Sequence, residues 1–241
     1  MTKHMHNALD QLRDRVEDLG RNVQRALADA VASATSGDTA SADRVIQGDR
    51  RIDQDEVEVE EECLKVLALH QPVAKDLRML VGILKLNNDL ERIGDLAVNI
   101  AGNCGHIDLS GDLRLNDLLR RLSSRSQDMF QLGLDSLVRQ DEQLARRVCA
   151  ADDDVDRLYN NLRTAIQEQL AREQAPGLTR IECLMRVISV ARSLERIADH
   201  ATNIAEDVIY MVTGEIPRHG GQRDLRAWTG PAPASDNGSS D

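Results

Sequence analysis

A twelve-residue block occurs twice in this chain. Leu90-Glu91-Arg92-Ile93-Gly94-Asp95-Leu96-Ala97-Val98-Asn99-Ile100-Ala101 returns as Leu194-Glu195-Arg196-Ile197-Ala198-Asp199-His200-Ala201-Thr202-Asn203-Ile204-Ala205, with nine identities at an offset of 104. Upstream, Asp38, Arg44, Val45, Asp49 and Asp53 return as Asp141, Arg147, Val148, Asp152 and Asp156 at an offset of 103, so one insertion separates the two registers. Self-similarity at this distance means that one structural unit is used twice.

The unit is helical. Leu9, Leu12, Val16, Leu19, Val23 and Leu27 follow a 3.6-residue period, Ala, Leu, Arg, Glu and Val dominate, and no strand alternation persists. Pro72 and Pro176 sit between long periodic segments, and proline fits the first turn of a helix, so both are expected to open helices. Breaks at 36–38, 70–72, 102–111, 139–142 and 174–177 cut the chain into six helices of roughly 25 to 35 residues, lengths suited to antiparallel bundles. The expected fold is all-α: two tandem three-helix bundles, over residues 1–106 and 107–214. After Gly214 the composition turns to Pro, Gly, Ser and Asp, and residues 215–241 are expected to form a disordered tail.

Composition removes several function classes. The chain of 241 residues carries 30 Lys plus Arg against 41 Asp plus Glu, a net charge of -11, with only four aromatic side chains. It lacks the excess cations and stacking surface of a nucleic-acid binder. Met79 to Leu84 is the longest uncharged apolar run, far below the roughly 20 residues that cross a bilayer, so any membrane association is expected to be peripheral. The N-terminus runs into charged residues without a hydrophobic signal core, which predicts a cytoplasmic protein. Cys63, Cys104, Cys149 and Cys183 show no C-x-x-C spacing and lie among aliphatic residues, as reduced core thiols do.

The chemistry lies in the acids. Each repeat holds two carboxylate pairs at i and i+4: Asp49 with Asp53 and Glu91 with Asp95, then Asp152 with Asp156 and Glu195 with Asp199. Residues four apart share a helix face, so each pair sets like charges side by side. Counted from a first turn near residue 71, Asp49 and Asp53 lie 22 and 18 residues before it, and Glu91 and Asp95 lie 20 and 24 after it. At about 1.5 Å per residue both pairs stand roughly 27 to 36 Å from the turn, level on neighbouring antiparallel helices. The second turn, near residue 175, repeats the coincidence. Four acids meeting at one level need protons, basic partners or a cation. With Asn99 and Asn203 four residues beyond Asp95 and Asp199, the set is a hard oxygen-rich environment of the kind that holds Ca, Mg, Mn or iron. In the plainer reading the pairs are solvated and neutralised by Arg44, Arg92, Arg147 and Arg196. An enzymatic reading, a carboxylate-bridged multinuclear oxidase or phosphatase, has the acids but lacks the Glu-x-x-His of bundle di-iron enzymes. His200 follows Asp199 directly and so points about 100° from the ligand face.

The duplicated Leu-Glu-Arg-Ile-x-Asp-x-Ala-x-Asn-Ile-Ala, the run Gln71-Pro72-Val73-Ala74-Lys75-Asp76-Leu77-Arg78 and Asp49-x-x-x-Asp53 resemble the signatures of the PhoU family of bacterial phosphate-uptake regulators, over about residues 8–214. The second proline region, Ala175 to Arg180, lacks the Ala-x-Asp-Leu-Arg run. The resemblance implies two three-helix bundles, a homodimer, and multinuclear iron or zinc clusters, or clusters of another cation, on the acidic motifs. It carries metal onto Asp49, Asp53, Glu91, Asp95 and Asn99 in one half and onto Asp152, Asp156, Glu195, Asp199 and Asn203 in the other. It further implies a non-enzymatic negative regulator that links the ATPase of an ABC-type phosphate importer to the histidine kinase that senses phosphate.

Overall fold

The computed structural model describes residues 3–173, 176–217 and 223–224. The helices are α1 (Lys3–Ser36), α2 (Thr39–His70), α3 (Ala74–Ala101), α4 (Leu113–Arg139), α5 (Glu142–Cys149), α6 (Asp152–Arg172) and α7 (Leu178–Thr213). The fold is all-α with an internal repeat, as expected, and α5 and α6 together stand for the fifth of the six helices. The interruption at Ala150 and Ala151 carries no breaker residue. After Gly214, β1 (Glu215–Ile216) pairs antiparallel with β2 (Arg223–Asp224), while most of the tail expected at 215–241 lies outside the described residues.

Local chemistry sets the ends. Asp38, Asp112 and Asp141 cap α2, α4 and α5 by accepting backbone N–H groups from Ser41, Leu115, and Gln143 with Leu144. Asp38 and Asp141 are repeat partners, so their recurrence is explained by capping. Gln71 and Gln140 close α2 and α4 in the left-handed region (φ 44° and 51°), where glycine is usual, and Gly214 closes α7 at φ 81°. Pro72 and Pro176 stand two residues before their helices rather than in the first turn. Pro72 follows the left-handed cap of α2 directly, a place where it prevents helix continuation.

Helices α1, α2 and α3 pack on one another, as do α4, α5/α6 and α7, and one continuous apolar core runs through both sets. The most extensive contact joins the halves: α3 lies antiparallel on α7, with Gly82 against Met211 and Lys85 bridging to Asp207 at 3.1 Å. Helix α1 crosses α4 nearby, Gln24 bonding Gln131 and Gly20 sitting under Leu134. Cys63, Cys104 and Cys183 are buried and Cys149 is half-buried, all as free thiols. No described helix is long and apolar enough to cross a membrane.

Candidate metal centres

The twelve-residue blocks are the halves of α3 and α7 that face the core and carry its rim. Leu90, Ile93, Ala97 and Ile100 are buried on α3, and Leu194, Ile197, Ala201 and Ile204 are their counterparts on α7. The acids fall beside this stripe. Asp49, Glu91, Asp95, Asp152 and Glu195 are half-buried, while Asp53, Asp156 and Asp199 are exposed. Leu77 is 39% exposed, and the buried line toward Glu91 runs through Leu80, Ile83 and Leu86.

In the first half, α2 brings Asp49 and Asp53 to Glu91 and Asp95 of α3. The helices come close because residue 94 is glycine: a Cβ there would lie 3.2 Å from Ile52 Cγ2 and 3.7 Å from Asp49 Oδ1. Burial raises the pKa of Asp49, and the charges of Asp53 and Asp95 raise it further. Glu91 is raised by burial and by Asp95, against the opposing charge of Arg92. Arg92 Nε stands 3.3 Å from Glu91 Oε2 and Arg92 Nη1 3.4 Å from Asp95 Oδ2, so the plainer reading holds here in part. Yet the contact of Arg92 with the buried Glu91 Oε2 is not aligned as a hydrogen bond. Arg44 serves Ser41 instead.

The second half builds the same set differently. Asp152 and Asp156 belong to α6, whose first turn is Asp152, Asp153 and Asp154, and they face Glu195 and Asp199 of α7. Thr202 donates its hydroxyl to Asp152 Oδ1 at 3.2 Å. The Asp152 pKa is raised by burial against the lowering effect of that bond. Glu195 is raised by burial, then by Asp199 and Asp156. Asp199 is raised by burial of its inner side, then by Asp152 and Asp156. Among the described residues neither Arg147 nor Arg196 forms an ion pair within 4 Å.

The asparagines differ as well. Asn99 is exposed, and its carbonyl accepts from Asn103 Nδ2 at 2.7 Å. Asn203 Nδ2 donates across the seam to Asp89 Oδ1 at 3.2 Å, and His200 Nδ1 meets the same oxygen at 2.7 Å. His200 is therefore a half-buried packing residue paired to the other half.

Three participants escaped sequence reasoning. Glu56 joins the first cluster, held by Asn87 through its own carbonyl at 2.8 Å and Oε1 at 3.2 Å, and its pKa is raised by burial and by Glu60 and Asp53. Its position three residues after Asp53 was the available signal. Thr202 and Asp89 gave none.

As they stand, no three described His, Cys, Asp or Glu side chains close around one point. The acids are neighbours rather than a cage. Their chemistry nonetheless fits a hard cation: each set consists of oxygens, burial and mutual charge oppose its ionisation, and the buried Glu91 Oε2 has an ion-pair contact but no aligned hydrogen bond.

The PhoU domain model matches residues 16–103 and again 119–208. The chain is 36% identical over 222 residues to the phosphate-specific transport system accessory protein PhoU homolog of Pseudomonas aeruginosa, covering 91% of this chain and 89% of that one. It is 33% identical over 217 residues to the accessory protein PhoU of Escherichia coli K12, covering 90% and 88%. The crystal structure of PhoU from Pseudomonas aeruginosa superposes with a TM-score of 0.80 at 35% identity, over 87% of this chain and 99% of that one. That of the phosphate transport system regulatory protein PhoU from Streptococcus pneumoniae gives 0.80 at 25%, over 88% and 98%.

Proposed function

The chain belongs to the PhoU family, and on that premise we propose that it is a non-enzymatic, metal-binding regulator of phosphate uptake. The observation that carries this reading is the pairing of a two-domain family match with two carboxylate sets at equivalent places in both halves. Relatives that match over most of the chain are named as accessory proteins of phosphate transport rather than as enzymes.

Asp49, Asp53, Glu91, Asp95 and Asn99 would hold one set of cations, and Asp152, Asp156, Glu195, Asp199 and Asn203 the other. A bound cation supplies positive charge that offsets the repulsion among these carboxylates and ties α2 to α3, or α6 to α7. The protein's own part is to keep the acids level across each helix pair and partly dry. Arg92 restrains Glu91 and Asp95 from the solvent side. Thr202 fixes the orientation of Asp152.

In this reading the protein works in the cytoplasm as a homodimer, meeting the ATPase of a phosphate importer and a phosphate-sensing histidine kinase, and it silences phosphate-starvation genes when phosphate is plentiful. A strain lacking the gene should express a phosphate-starvation reporter in phosphate-rich medium. A reporter that stays silent there overturns the regulatory reading. Elemental analysis of purified protein tests the metal separately, and protein that carries no multivalent cation after growth in metal-replete medium overturns that part.

A further inference from the structure

A cleft of about 490 Å³ between α4 and α6 gathers four arginines on this acidic chain. Arg120, Arg121 and Arg125 line it from α4 and Arg157 from α6, with Asp128 and Asp154 as the acids. Asp154 is engaged by Arg125 at 3.0 Å and by Arg157, while Asp117, just outside, takes Arg120 at 2.9 Å and Arg121 at 3.9 Å. Each guanidinium offers five N–H donors, so these contacts leave many donors turned to the open cleft.

The fold does not require this charge. The nine lining positions have counterparts 103 residues earlier, on α1 and α2, where the core residues keep the same register. There Glu17, Asp18 and Asn22 replace Arg120, Arg121 and Arg125, and the nine positions carry three cations against four anions rather than four against two. The first-half groove is also internally neutralised, by Arg15 with Glu58 at 3.2 Å, Arg21 with Asp18 at 2.6 Å and Arg51 with Asp55 at 2.8 Å. The arginines of both grooves are ion-paired, and what differs is the balance of the lining, cationic between α4 and α6 and anionic between α1 and α2.

We propose that the α4/α6 cleft is a docking surface for an acidic, amphipathic segment of another protein. Its length argues for a chain segment: adjoining depressions share Arg120, Arg125 and Asp128 and extend to Leu132, about 18 Å along α4 from Arg120. An inorganic anion would fill a fraction of that, and a bilayer surface would not enter a concave cleft. Half-buried Leu158 and Leu132 offer apolar anchorage beside the arginines. A second copy of this chain, whose α2 is itself acidic over residues 53–62, is a separate outcome of the test. The inference does not depend on metal in the carboxylate sets.

The test is fluorescence anisotropy of the full-length protein with a labelled 16-residue helical peptide carrying glutamate and leucine at i,i+4 spacing. We expect saturable binding that weakens with salt. Arg120→Glu with Arg121→Asp, the residues of the first-half groove, should reduce affinity about tenfold or more. Arg21→Glu with Arg25→Glu reverses equal charge in the other groove and should leave affinity unchanged. Circular dichroism keeps loss of fold apart from loss of binding, and Arg120→Lys with Arg121→Lys, which retains the charge, should restore most affinity. Equal loss in the two charge-reversal variants overturns the proposal. So does binding confined to inorganic phosphate, to phosphatidylglycerol vesicles or to the protein itself by sedimentation.

Discussion

The two carboxylate sets answer one electrostatic problem in two ways. In the first half α2 runs unbroken past Asp49, glycine lets α3 approach, and Arg92 pairs with Glu91 and Asp95. In the second half the helix is interrupted just before Asp152, alanine replaces glycine at 198, and Thr202 supplies a hydroxyl in place of the Val98 methyls. The break sets three aspartates on the first turn of α6, where free backbone N–H groups and the helix dipole favour negative charge. One half pairs Glu91 and Asp95 with a guanidinium within 4 Å; in the other a hydroxyl bonds Asp152, and Arg196 acts on Glu195 and Asp199 from farther off. Sets built this differently are expected to respond separately to perturbation.

The largest effect tests that independence. Glu91→Ala with Asp95→Ala should abolish metal in the first half and leave the second loaded, with Glu195→Ala and Asp199→Ala giving the converse, by elemental analysis of folded protein. Loss from both halves in either variant would break the comparison. Packing comes next. Ala198→Gly should cost about 1 kcal/mol in denaturant unfolding, from helix propensity and the lost buried methyl. Gly94→Ala should recover much less than that amount, because its methyl would press Ile52. Thr202→Val should lower stability by about 1 kcal/mol in chelator-treated protein, whereas Val98→Thr in the first half should change little.

Proton linkage gives a finer test. Asp49, Glu56 and Glu91 in the first half, and Asp152, Glu195 and Asp199 in the second, have folded pKa values raised mainly by burial. A raised acid binds its proton more tightly when folded, so its stabilisation is greatest in acid and falls as pH climbs from the ordinary carboxylate range through the raised value. Chelated protein should therefore lose thermal stability as pH rises above the ordinary carboxylate range, and Asp49→Asn or Asp199→Asn should each flatten that slope. Hydrogen bonds from Ser41 and Ser110 lower Asp38 and Asp108 and act in the opposite sense, which makes the wild-type-minus-variant difference the quantity to measure. Smallest of all, Arg92→Gln should cost a few tenths of a kcal/mol and Arg196→Gln nothing measurable, since only Arg92 is paired and both are exposed.

The repeat made much of this fold readable. Helical period, the Asp38 and Asp141 positions and the hairpin distances lead to the helices and to the level of each acid set. What stayed hidden has local causes. Ala150 and Ala151 are good helix formers, so nothing in their composition marks the break before Asp152. The Asp89 contacts with His200 and Asn203 join residues more than a hundred positions apart across the seam, and the repeat offers no counterpart because Ser193 stands where Asp89 would recur. Arg92 and Arg196 look identical in sequence, yet only the former comes within 4 Å of its acids, while Arg196 acts on Glu195 and Asp199 from farther off.

Gly82 has a further consequence. Met211, near the C-terminal end of α7, occupies the space that any side chain at 82 would need and locks that end of α7 to α3. To slide or swivel one half against the other would require lifting that methionine out of its notch and breaking the most extensive contact in the protein. The two halves are therefore held as one body at this notch, and separating them exposes buried core on both helices.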